Sequence, residues 1–361
     1  MHIRRSSFLL VVLALITVVT TLPTWLFADN RVPVKFGFIG ALSGFAASYG
    51  TAVLDGARLA QEELKIQGIP IELVVEDDQS NAKSAAAAYT KLTKIDKVSA
   101  IIGGSWWIDS IVKNAERDGV PIISCETVYN SQSVLGKNTF ILQGDLRRWI
   151  TSYEKLIAEK AWRTAAVAHF TSGFGITLAQ QMKETFSTGE RHLLGAIPYG
   201  DPDMTAAAQI ALKIKSLHPE VLYIDAQPLG LAALLKKLSE VGASKNITIL
   251  TNSIMLDVLN ENLADVSPFK EIYFTHRPSY DSAFESAFHR RYSRPPALNS
   301  DLGFYALQIF AKAHQQRDVV SAIKMGLEVK NILFSFDEKN VFNGMAPSIM
   351  TVREGIPVKM Y

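Results

Sequence analysis

At 361 residues, with 37 Lys plus Arg against 35 Asp plus Glu, the chain exceeds what one hydrophobic core usually organises, so two lobes are the default expectation. Without Arg4 and Arg5 the basic count falls to 35 and equals the acids, which leaves no electrostatic reason to seek nucleic acid or anionic lipid. Cys125 is the only cysteine, so an internal disulfide is excluded and stability must come from packing.

The first 28 residues read as an export signal: His2, Arg4 and Arg5 make a basic start, Phe8 to Val19 is apolar, and Ala28 offers a small residue for cleavage. Phe8 to Phe27 could nearly span a bilayer and Leu26 suits the minus-three position poorly, which is the case for an uncleaved anchor. Cleavage after Ala28 is the expectation, because Pro23 and the threonines before it break the helix as processed signals do. A very apolar core and the extra serine before Phe8 favour Sec export over a twin-arginine route. No cysteine follows the signal for lipidation, so a free periplasmic protein is expected, without membrane insertion after cleavage.

Behind the signal, Val34 to Ile39 is an apolar run suited to a strand buried on both faces of a parallel sheet. It opens into Gly40-Ala41-Leu42-Ser43-Gly44 and Tyr49-Gly50. From Ala52 the positions Leu54, Ala57, Leu59, Ala60 and Leu64 fall at helical spacing, and Ile71 to Glu76 returns as a strand. Further strands are expected at Val98 to Gly103, Val120 to Ser124 and Phe140 to Leu142, with helices near Ala82 to Lys94 and Ile108 to Arg117. Asp77 and Asp78 read as caps for the first of these helices.

A second series follows a helix from Trp149 to Glu159. Its strands are Thr164 to His169, Leu193 to Pro198, Val221 to Asp225, Ile247 to Thr251 and Ile272 to Thr275. Helices near Thr177 to Phe186, Ala206 to Leu217 and Leu229 to Val241 separate them. After Thr275 the pattern changes to two helices, Ser282 to Tyr292 and Leu302 to His314, where a return to the first lobe is placed. Ser348 to Met360 alternates around Glu354-Gly355 as a hairpin. Alternating strands and helices of this kind predict an α/β fold of two doubly wound parallel-sheet lobes, with ligand chemistry at the carboxyl ends of the strands.

The motif Ile39 to Gly50 (IGALSGFAASYG), followed by Asp55-Gly56-Ala57, Leu59-Ala60, Glu62, Ile71-Glu72-Leu73 and Asp77-Asp78, resembles the type I periplasmic solute-binding proteins of branched-chain amino acid ABC transporters. Ile101-Ile102-Gly103-Gly104-Ser105, Gly119 to Ser124 and Phe174-Gly175 extend the resemblance over nearly the whole mature chain. It implies two lobes joined by three crossovers: residues 33–144 plus 277–330, and residues 145–276 plus 331–361. A small solute would sit in the cleft between them, a membrane permease would be the partner, and a monomer is expected. The resemblance implies that Ser105, with backbone amides at a helix start, holds the solute's carboxylate. It places Ser43, Tyr49, Trp106, Glu126, Thr127 and Phe174 about the cleft, and Asp225, Gln227 and Ser253 in the second lobe's half. Amino acid binders of this family carry an acid near position 253. Asn252-Ser253 stands there instead, so either Glu126 or Asp225 supplies the counter-charge or the ligand is not an α-amino acid.

Tyr49, Trp106 and Phe174 as an aromatic lining would suit a flat or cationic solute. Cys125 reads as an apolar filler at a strand end and His169 as a structural histidine. Ser80 to Lys83 fits Ser-x-x-Lys without the partner motifs, and no Walker loop, Gly-x-Gly-x-x-Gly turn or His-Glu-x-x-His occurs. No catalytic residue, metal or cofactor is expected. Capture of an amino acid or related carboxylate or amide for an ABC importer is the leading expectation; a sensory or envelope-assembly binding protein on the same fold is the alternative.

Overall fold

The computed structural model describes residues 32–126, 135–145, 147–277, 279–344 and 347–360; the expected export signal and Thr127 lie outside them. Strands β1 (Val34–Gly40), β2 (Ile71–Asp77), β3 (Ile101–Gly104), β4 (Ile122–Ser124) and β5 (Thr139–Ile141) form one sheet in the order β2-β1-β3-β4-β5, every pair parallel. The pleat sends alternate side chains to opposite faces. Phe36, Phe38, Ile102 and Ile123 enter one core, while Ile39, Ile101 and Ile122 enter another. Helix α1 (Ala47–Ile66) covers the first face, and α2 (Ala82–Thr90) with α3 (Asp109–Asp118) covers the second. This double coverage is why the strands read as continuous apolar runs.

Two short helices, α4 (Arg147–Thr151) and α5 (Glu154–Lys160), then lead into the second lobe. One continuous helix was expected there. The chain breaks at Ser152-Tyr153, where Ser152 Oγ donates back to the Arg148 carbonyl at 2.5 Å and the buried Tyr153 hydroxyl donates to the Thr251 carbonyl at 2.5 Å. Strands β6 (Thr164–Phe170), β7 (His192–Tyr199), β8 (Val221–Asp225), β9 (Thr248–Thr251) and β10 (Ile272–His276) are parallel, and alternate residues again divide between two cores, Ala166, Leu222 and Phe274 on one side and Val167, Tyr223 and Tyr273 on the other. The helices between them are α6 (Gly173–Thr185), α7 (Ala207–Leu217), α8 (Pro228–Glu240) and the short α9 (Ile254–Asn260), which the sequence reading did not anticipate.

Helices α10 (Ser282–Tyr292), α11 (Ser300–Ala313) and α12 (Val319–Lys324) return to the first core. Two glycines allow α11 to lie on α1: a Cβ on Gly56 would come within 1.7 Å of the Ser300 carbonyl oxygen, and one on Gly303 within 1.9 Å of the Val53 carbonyl oxygen. The hairpin β11 (Leu327–Val329) and β12 (Ile332–Phe334) follows, and both Phe334 and Phe342 pack in the first core. The lobe boundary expected between residues 330 and 331 therefore falls inside a hairpin of the first lobe. Strands β13 (Ser348–Arg353) and β14 (Ile356–Lys359) complete the second sheet as an antiparallel edge, in the order β14-β13-β10-β9-β8-β6-β7.

Three segments thus pass between the lobes, after β5, after β10 and before β13. The first and third are tied together: Phe342 N donates to the Ile141 carbonyl at 2.9 Å and Arg148 Nη1 to the Gly344 carbonyl at 2.6 Å. At the second, Arg277 forms a buried two-pronged ion pair with Asp301 at 2.7 and 2.8 Å.

Candidate interlobe binding site

Both sheets carry the doubly wound strand order, in which a ligand crevice opens where the strand order reverses, between the carboxyl ends of β1 and β3 and of β6 and β8. These two switch points face one cavity of about 230 Å³, walled by both lobes. The first lobe contributes Tyr49 from the first turn of α1, Trp106 after β3 and Glu126 after β4. The second contributes Phe170, Ser172 and Phe174 between β6 and α6, Asp225 and Gln227 before α8, and Asn252, Ser253, Asp257 and Glu261 around α9. Across the gap Phe45 meets Phe170 edge-on at 6.0 Å between ring centres, and Phe45 also packs edge-on against Trp106 at 5.6 Å.

Tyr49 is held by its hydroxyl, which donates to the Cys125 carbonyl at 3.0 Å and accepts from Asn299 Nδ2 at 2.6 Å. Burial, reinforced by the Glu126 charge, pushes its phenol well above the ordinary range. Glu126 is 5% exposed and its amide is anchored on Ser124 Oγ at 3.1 Å. Asp225 is 6% exposed; its Oδ2 accepts from Phe170 N at 3.3 Å, and its Oδ1 has no hydrogen-bond partner among the described residues. Burial pushes the Asp225 carboxyl up to about 7 against the opposing pull of that amide. The close seat beside α6 needs a glycine, since a Cβ on Gly175 would lie 2.5 Å from Asp225 Oδ2 and 2.1 Å from the Phe170 carbonyl oxygen. Burial, and then the Glu261 charge, raise Asp257 to about 6.

Of the residues expected at the site, the structure brings Tyr49, Trp106, Glu126, Phe174, Asp225, Gln227 and Ser253 to the cavity wall. Ser43 is not among them. It is exposed, its hydroxyl donates to Asp77 Oδ2 at 2.6 Å, and Asp77 also accepts the amides of Leu42, Ser43 and Gln79. Asp77 thus fastens the loop after β1 rather than capping α2, which Asn81 caps by accepting from Ser84 N at 2.9 Å. Ser105 also lies behind the wall. It is fully buried, its Oγ accepts from Trp107 N at 3.0 Å, and the orphan-amide end of α3 begins only at Asp109. Ser253 Oγ donates to the Thr275 carbonyl at 3.1 Å. Cys125 is fully buried in the first core, and the buried His169 ring stands 3.2 Å from the Phe170 carbonyl oxygen through Nδ1.

Sequence reasoning missed Phe170, Trp149, Asp257 and Glu261 on this wall. Phe170 follows His169 directly at the end of an expected strand, so a strand-end aromatic was available as a signal. The two acids sit on and just beyond α9, a helix of 7 residues too short to announce itself by periodicity. Among the described residues no group of His, Cys, Asp or Glu could hold a metal ion, and no helix is long and apolar enough to cross a membrane.

The sequence profile of the family described as "Periplasmic binding protein" matches residues 33–325. The chain belongs to that family. The resemblance to type I binding proteins of ABC transporters holds, and the periplasmic binding proteins are solute-binding proteins, not enzymes, that work with ABC transporter permeases. No match was found among curated protein sequences. Similar solved structures include an ABC transporter solute-binding protein from R. palustris in complex with benzoate (TM-score 0.75, 18% identity, covering 91% of this chain and 96% of that one). Another is the branched-chain amino acid transporter substrate-binding protein LivJ from Streptococcus pneumoniae in complex with isoleucine (0.73, 21%, 91% and 100%). A third is a solute-binding protein of an ABC transporter from Rhodopseudomonas palustris BisB5 in complex with 3,4-dihydroxybenzoic acid (0.73, 18%, 88% and 92%). At these identities the likeness is one of fold.

Proposed function

We propose that this periplasmic binding protein is the receptor of an ABC importer, capturing a small solute between its lobes and presenting the closed form to a membrane permease. The observation that carries this reading is a cavity onto which both switch points open, with walls from both lobes. A solute there touches both lobes at once, so it binds the closed arrangement better than an open one and shifts the hinge toward closure. At about 230 Å³ the cavity falls below the ~300–1,000 Å³ of drug-sized pockets, which suits a small solute. Tyr49, Trp106, Phe170 and Phe174 hold its apolar part, while Glu126, Gln227, Asp225 and Ser253 supply polar contacts.

The test combines thermal shift, solution scattering and mass spectrometry on the mature protein with a panel of amino acids, amides, carboxylates and amines. A true ligand at a hundred times its dissociation constant adds about 2.7 kcal/mol of stability. It also shrinks the radius of gyration and is recovered unchanged. Conversion of the hit into product, or saturation without compaction, overturns the reading.

A further inference from the structure

Four carboxylates (Glu126, Asp225, Asp257 and Glu261) and five aromatic rings (Tyr49, Trp106, Trp149, Phe170 and Phe174) line the cavity, and none of its lining residues is Lys, Arg or His. The internal residues outside the description, 127–134, 146, 278 and 345–346, include no basic residue in the sequence either. Arg277, at the neighbouring crossover, is locked to Asp301.

Two details make this more than a count of acids. Asp225 is over nine-tenths buried on the cavity wall, its Oδ2 takes the Phe170 amide, and its Oδ1 has no hydrogen-bond partner among the described residues, which leaves that oxygen to the cavity. Asp257, in the first turn of α9, and Glu261, at its C-cap, stand four residues apart, a spacing at which like charges repel, and the negative end of the helix dipole adds to the cost at Glu261. No basic residue of α9 offsets that repulsion, whereas a positive ligand relieves it. The alternative anchor for an anion is also spent, because Ser105 Oγ is buried behind the wall and already takes the Trp107 amide.

We infer that the cleft recognises a small organic cation, an amine or quaternary ammonium, faced by the carboxylates of Asp225 and Glu126 and lying against the rings of Trp106 and Phe170. The inference rests on the cleft being the solute site. A cation over an aromatic face is attracted by the ring quadrupole, and more strongly where both are desolvated. The paired carboxylates offset the desolvation of its charge. A zwitterionic amino acid would place its carboxylate among four carboxyl groups, and a simple carboxylate would find no counter-charge on the wall.

Calorimetry and thermal shift on the mature chain, with choline, tyramine, putrescine and agmatine set against isoleucine and benzoate, test this directly. At least one cation should raise the melting temperature, and Asp225→Asn and Glu126→Gln should each weaken its binding by roughly 30-fold or more, with circular dichroism unchanged. Stabilisation by isoleucine or benzoate but by no cation, lost in Phe170→Ala, would overturn the cation inference and leave the receptor reading standing. Stabilisation by none of the six would count against both. Binding of a cation with unchanged affinity in both carboxylate variants would also overturn the inference, because the acids would then not be what reads the charge.

Discussion

The ion pair at the second crossover sets a sharp test of what holds the two lobes in register. The side chains of Arg277 and Asp301 are 3% and 5% exposed, and the carboxylate takes both guanidinium nitrogens while also accepting Leu302 N at 3.0 Å. Burial works against the guanidinium's charge, and the adjacent Asp301 more than offsets it, so the arginine's pKa lies above its usual value. Asp301→Leu keeps a similar volume but leaves that cation buried without its counter-charge, beside Asn299 Oδ1 at 3.3 Å and the Tyr280 ring, which costs about 3–5 kcal/mol. At roughly 2–4 °C per kcal/mol for a unit of 150–250 residues, the melting temperature should fall by roughly 6–20 °C. Adding Arg277→Met removes the stranded charge, and since apolar replacements of a whole buried pair are often neutral, the double variant should recover at least half of the loss. Differential scanning calorimetry and urea unfolding read both values. A single variant losing less than about 1 kcal/mol, or a double variant less stable than the single, would refute the claim that a buried cation deprived of its carboxylate is the governing cost.

Two further outcomes follow from packing and from titration. Gly56→Ala should destabilise by about 1–3 kcal/mol despite alanine's better helix propensity, because the new methyl would lie 1.7 Å from the Ser300 carbonyl oxygen and force α1 off α11; an unchanged urea midpoint would show that the helices separate freely. Asp225, near 7 in the folded chain against about 3.9 unfolded, holds its proton longer when folded, so its contribution is intact below pH 4 and is lost as pH rises toward 7 and stays lost above it. Asp225→Asn should therefore gain melting temperature over the wild type between pH 5 and pH 8, and curves that stay parallel across that range would refute the shifted carboxyl.

The doubly wound lobes were legible because strands buried on both faces leave apolar runs that water-facing segments cannot imitate. Val34 to Ile39 announces β1, and the same logic marks Val221 to Asp225 as β8, whose bounds are as expected. What the pattern could not show is where local bonding ends an element. The strand expected from Val98 starts at Ile101, because Lys97 takes a positive φ of 56° and Val98 N closes back on the Leu92 carbonyl at 3.0 Å. The hairpin β11–β12, with strands of 3 residues each, is too brief to carry an alternation of its own, and its Phe334 could be assigned to a core only in three dimensions.

The site divides along the same line. Residues at or within three positions of the ends of expected strands, Trp106, Glu126, Asp225 and Gln227, reach the wall because the carboxyl end of a parallel strand in a doubly wound sheet delivers what stands there to the crevice. Ser105 follows a strand too, yet it turns inward to hold Trp107 N, and so the neighbouring tryptophan takes the wall position. One residue of phase thus exchanges a hydroxyl for an indole and with it a donor for a π-face. The same exchange removes the expected anion anchor and leaves Asp225 and Glu126 facing a ring-lined space. On the proposed cation reading, ligand class turns less on which residues surround the strand ends than on which of two neighbours the first turn after β3 points outward.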